Sequence, residues 1–142
     1  MLHMKWLRPS NFAHSAVVLG VCALGIVGCS STPPAAPDDP KVRLAKIYVS
    51  AFMAGATHSM EPMENAAVKK ALTDQLVTST LARLTAANGA FESQGSTRTG
   101  TFQGHDVVYV ACHFEHGALD AKVVLDRDSK VAGIFMVAPG GH

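Results

Sequence analysis

The run His113-Phe114-Glu115-His116 gathers two imidazoles and a carboxylate within four positions, with His105 close upstream. Such groups ligate divalent metals or move protons near neutral pH. Spacing limits both uses. In an extended segment alternate residues share a face, so His113 and Glu115 point one way while His116 lies opposite or in a turn. The helical His-Glu-x-x-His arrangement, which aims two imidazoles at one point, is not reproduced. The run therefore reads as a solvated hairpin end with one half-buried imidazole, and no metal site is assigned. His58, Met60 and Met63 form a thinner cluster whose sulfurs would suit copper. A helix-boundary loop with packing methionines explains them better. Cys112 alternates with Val110 and Phe114 and reads as a small core residue, because a reactive thiol needs an accessible, electropositive setting.

The elements that must position these groups fall into two halves. Asp39-Pro40 is a helix start, with Asp39 as cap and proline in the first turn. Ala45, Tyr48, Val49, Phe52 and Ala56 recur at helical spacing and predict a helix over 41–55. Residues 59–72 are less regular, since Pro62 permits a start but not a continuation. Thr73 caps a further helix running to Ala87, with Leu76, Val77, Leu81 and Leu84 inward, and Asn88-Gly89 stops it. Beyond Gly89 the period becomes two. Residues 90–96 and 98–103 read as two short polar strands. Gly104-His105-Asp106 turns the chain into 107–115, where both faces are largely apolar, as in the middle of a curved sheet. His116-Gly117 leads to 119–125, and residues 126–130 turn the chain into 131–137. Helices followed by a meander predict an α+β fold, with N-terminal helices packed on one face of a curved antiparallel sheet.

Residues 101–139, TFQGHDVVYVACHFEHGALDAKVVLDRDSKVAGIFMVAP, resemble the C-terminal half of a bacterial family, domain-of-unknown-function family 3887. The preceding LTDQLVTSTLARLTAANGAFES is similar to its helix and first strand, so the resemblance covers roughly residues 41–138. Its marks are the QG turn, the VVYV strand, the hairpin and the VAGIF strand. It implies a cone-shaped fold like that of the nuclear-transport-factor-two and cystatin-like proteins. It also implies a kinship with domains that often precede an α/β-hydrolase, although the Gly-x-Ser-x-Gly elbow of that enzyme is not found in these residues. In such folds the sheet curls around a cavity, and Tyr109, His113, Glu115 and Lys122 are the candidates for its lining or mouth. An imidazole beside a carboxylate could serve acid–base chemistry. The same four side chains suit a small apolar ligand, or a sheet-to-sheet contact between proteins. No Ser-His-Asp order, phosphate-cradling loop or carboxylate pair accompanies them. No catalytic residue and no cofactor is assigned, and a non-enzymatic interaction role is the favoured reading, since this fold hosts enzymes, binders and dimerisation modules alike.

The N-terminus carries an address. Lys5 and Arg8 precede an apolar run over 12–27, a signal-peptide pattern shorter than the about 17–25 residues of a comfortable membrane span. Ile26-Val27-Gly28-Cys29 resembles the lipobox of bacterial lipoproteins, which implies cleavage between Gly28 and Cys29 and acylation of the Cys29 thiol. Each buried CH₂ contributes about 0.8 kcal/mol, so several acyl chains would hold the protein on a membrane. Ser30 resembles the residue that sorts such proteins to the outer membrane. Residues 29–40 are proline-rich, a tether at about 3 Å per residue with roughly 30 Å of reach.

Loss of residues 1–28 removes Lys5 and Arg8 from the 12 basic residues and none of the 11 acidic ones, moving the balance from +1 to about −1. No basic patch invites nucleic acid. Of the 3 cysteines, Cys22 leaves with the signal and Cys29 takes lipid, so Cys112 has no disulfide partner in the chain. The organisation expected is a signal peptide over 1–28, an acylated tether over 29–40, one domain over 41–138 and a tail over 139–142. The partners expected are the membrane, through the lipid, and either a second copy or another envelope protein.

Overall fold

The computed structural model describes residues 36 and 38–141. Gly28, Cys29, the apolar run, most of the tether and His142 lie outside the described residues. Helix α1 is Pro40–Met53, and the Asp39 carboxylate accepts the Lys41 amide at 2.8 Å to cap it. Val42, Ala45, Tyr48, Val49 and Phe52 form its buried stripe. The irregular stretch resolves into a short helix α2 (Thr57–Met60), a 3₁₀ turn (Glu61–Met63) and α3 (Ala66–Ala71), the last capped by Asn65 on the Val68 amide.

Helix α4 spans Asp74–Asn88 with Thr73 as cap, as the sequence predicts. Val77 is buried and Leu81 and Leu84 pack beside it, but Leu76 is 44% exposed rather than inward. The reason is angular: positions 77, 81 and 84 share a stripe, and position 76 sits about 100° away from it.

Four strands follow as an antiparallel meander in the order β1-β2-β3-β4. They are β1 (Phe91–Phe102), β2 (His105–Phe114), β3 (Gly117–Leu125) and β4 (Val131–Val137). The two short strands expected before Gly104 are one long strand. A register shift between Gln94 and Thr97, a bulge in the ladder, absorbs the irregularity that resembled a break. The β1–β2 turn is Gln103-Gly104, both with positive φ (50° and 78°), as a two-residue hairpin requires. His105 and Asp106 thus belong to β2. Similarly, Phe114 pairs with Gly117, leaving Glu115-His116 as the next turn.

Val108, Val110, Cys112 and Phe114 of β2 meet the helices in a core with Tyr48, Met60, Val77, Val123, Leu125 and Val131. Each such side chain contributes about 1.5–3 kcal/mol by leaving water. The opposite face carries a smaller cluster of Val107, Tyr109 and Val124, flanked by Ala132 and Val137. This is an α+β fold with helices on one face of an open sheet. After β4 the chain makes one more ordered turn, in which the Gly141 amide donates to the Ala138 carbonyl at 2.8 Å. Pro139 followed by Gly140 at φ 74° marks a type II turn. Among the described residues no helix is long and apolar enough to cross a membrane.

Candidate functional site

Cross-strand partners share a face, and the register places Arg98, Tyr109, Lys122 and Phe135 in one row across all four strands. The row lies on the side away from the helices. The Arg98 guanidinium sits 4.0 Å above the Tyr109 ring. Its Nη2 donates to Asp120 Oδ2 at 2.7 Å and to the Gly141 carbonyl at 2.9 Å. The same Asp120 oxygen accepts the Gly140 amide at 2.9 Å. Lys122 is only 6% exposed, yet no carboxylate lies within ion-pair distance of it among the described residues. Its Nζ rests 3.8 Å from the Phe102 ring and 5.9 Å from that of Tyr109. The negative ring faces take the place of a counter-ion, which offsets part of the cost of removing the ammonium from water.

Tyr109 and Lys122, both singled out from the sequence, are therefore brought together, while His113 and Glu115 lie elsewhere. His113 is exposed, with its imidazole over Gly95; a Cβ there would stand 2.5 Å from Nε2. Glu115 accepts the Ala90 amide at 2.9 Å, closing the junction between α4 and β1. His105 pairs with Phe102 at the other end of β2. Among the described residues no group of three or more His, Cys, Asp or Glu side chains could hold a metal. Cys112 is fully buried, donates to the Val110 carbonyl at 3.4 Å, and has its thiol pushed up to about 11 by burial. Met60 is buried, and His58 is exposed beside Glu61 at 3.8 Å.

Sequence reasoning missed Arg98 and Asp120. Splitting β1 near position 97 hid the register that sets Arg98 opposite Tyr109, and alternation along β3 was the available signal for Asp120.

A second feature lies along the outer edge of β4. A groove of about 370 Å³ opens between α3, the start of α4 and β4, lined by Val68, Leu72, Leu76, Ile134 and Phe135 among others. Phe135 is 56% exposed and shares this edge with the half-exposed Leu76. The start of β4 is already covered, because the Asn65 amide donates to the Val131 carbonyl at 3.0 Å and Glu64 forms a parallel bridge with Val131. None of Tyr109, His113, Glu115 and Lys122 lines this groove.

The model of the family described as Protein of unknown function (DUF3887) matches residues 45–134. The chain belongs to this family. The match runs from within α1 into β4, so the DUF3887 region takes in the core except Val42, the Arg98–Tyr109–Lys122 row and the groove except Phe135. No curated protein and no solved structure matches the chain.

Proposed function

We propose that this DUF3887 chain is an envelope lipoprotein, anchored through Cys29, whose domain is an interaction module that receives another protein chain along the β4 edge. The observation that carries the reading is the apolar groove beside an edge strand, with Leu76 and Phe135 presented to solvent. The strand sequence Val-Ala-Gly-Ile-Phe-Met-Val holds no charge and no proline, the two usual devices for blunting an edge. An uncharged edge next to an apolar groove suits strand addition, in which backbone hydrogen bonds give affinity and the groove takes side chains. On the helical side the sheet is covered by the buried core side chains of α1 and α4, Tyr48, Val49, Phe52 and Val77 among them. A second reading, a small apolar ligand in the groove, has the cavity volume in its favour. The anchor rests on Ile26-Val27-Gly28-Cys29 and the proline-rich tether.

Crosslinking in native membranes and sedimentation of the purified domain test the module. The expected result is a homodimer or one crosslinked envelope protein, lost in Phe135→Glu and Leu76→Glu while melting temperature holds. A monomer without partner, or association indifferent to both substitutions, overturns it. Mass spectrometry of the mature N-terminus tests the anchor, and an unmodified Cys29 would refute that part.

A further inference from the structure

We propose that the turn at 138–141 is a releasable strap, and that Arg98 and Asp120 are the clasp that holds it against the outer face of the sheet. This goes beyond the β4-edge reading and does not depend on it. The contacts close a ring. Arg98 Nη2 donates to Asp120 Oδ2, that oxygen accepts the Gly140 amide, and the Gly141 carbonyl returns to Arg98 Nη2. A partly buried ion pair repays its desolvation only when its remaining donors and acceptors are satisfied. Here the backbone of two consecutive tail residues supplies one donor and one acceptor.

The tail is shaped for this seat. Gly140 has φ 74°, a conformation that side-chain-bearing residues rarely adopt. At Gly141 a Cβ would meet the Ala138 carbonyl at 2.8 Å. Pro139 pre-sets the first corner of the type II turn. Either glycine replaced by a bulkier residue would pull the turn off its seat.

The strap is also separable from the core. Residues 138–140 are exposed, and none of 138–141 belongs to either apolar cluster. Opening breaks two hydrogen bonds to charged side chains and buries or releases little apolar surface, which is the signature of a local rather than a global unfolding step. The open state presents the Arg98 guanidinium and the Asp120 carboxylate to solvent, beside the Tyr109 ring and Lys122 ammonium. The closed state withholds them.

Residue-resolved amide exchange on the full chain tests the device, with Gly140→Ala and Arg98→Lys as variants. The first strains the turn and leaves the ion pair intact. The second keeps the positive charge but replaces the planar guanidinium, whose Nη2 serves both partners, with an ammonium on a shorter side chain. Exchange at positions 140 and 141 should accelerate roughly ten- to hundredfold in both, the size expected for losing a hydrogen bond to a charged group. Amides of Ala121 and Val123 should keep their wild-type rates, and the melting temperature should barely move. Wild-type protection at 140 and 141 in both variants overturns the strap. So does acceleration shared equally by the β3 amides, because the turn would then be an integral part of the cooperative fold.

Discussion

The Tyr48 hydroxyl donates to Glu64 across 2.7 Å, and the backbone of Glu64 bridges in parallel to Val131 at the start of β4. Helix α1 is thereby connected, through one buried hydrogen bond, to the segment that covers the beginning of an open sheet edge. Tyr48 is fully buried and Glu64 is 6% exposed, so neither group can turn to bulk water if the other is lost. Tyr48→Phe should therefore cost about 1–3 kcal/mol, the penalty for leaving a buried acceptor unpaired. Urea denaturation reads it, and a loss well below that range would mean that Glu64 finds another donor.

Alkaline pH should expose two buried protons. Burial, reinforced by Glu64, raises Tyr48 well above its ordinary 10.0, and burial pushes Cys112 from 9.0 up to about 11. Both groups hold the proton more tightly folded than unfolded, so their stabilising contribution is complete at lower pH and fades as pH rises. For Cys112 the loss runs from pH 9 through 11, and for Tyr48 it begins near 10. Stability measured from pH 8 to 11 should fall across that window. At pH 8 a thiol reagent should label Cys112 only on unfolding.

On the acid side the sign reverses. The Asp126 carboxylate accepts the Lys130 amide at 2.9 Å and the Asp128 amide at 3.0 Å, and its pKa lies below the ordinary 3.8, chiefly through the Lys130 contact. This support for the β3–β4 turn is present above that pH and disappears as pH falls through the lowered value. Amide chemical shifts of Asp128 and Lys130 should titrate together below 3.8.

Two glycines should separate sharply under substitution by alanine. At Gly89 a new Cβ meets the Glu115 Cβ at 2.7 Å, and φ is 79°. At Gly95 the nearest obstacle is the Nε2 tip of the exposed His113 imidazole, which can swing aside, and the fixed Ala111 Cβ stands farther off at 3.3 Å. Gly89→Ala should cost more than about 1 kcal/mol, because φ 79° with ψ −170° is an essentially glycine-only conformation, and Gly95→Ala should cost well under that. Equal losses would contradict the packing described for His113.

Local rules made much of this fold legible. Asp39 and Thr73 cap helices as their side-chain chemistry demands, and the alternation of Val108, Val110, Cys112 and Phe114 marks the face that meets the helices. Legibility fails where long-range register decides. Gln94 to Thr97 looks polar and broken in one dimension, yet its pairing with β2 makes it a bulge inside a continuous strand. That misreading concealed Arg98, and with it the clasp on Asp120. Lys122 illustrates the same limit, since a lysine in an apolar strand gives no hint that Phe102 and Tyr109 will flank it. Pro139-Gly140 carried its turn signal openly, but only the fold reveals what that turn rests upon.

Lys41, in the first turn of α1, pairs with Asp106 at the start of β2. The chain thus enters the domain beside the Gln103-Gly104 hairpin, and a ten-residue strand separates that point from the Glu115-His116 turn by about 30 Å. The ion pair therefore pins the start of α1 to the end of the sheet that carries the Gln103-Gly104 hairpin, a full strand length from the Glu115-His116 turn.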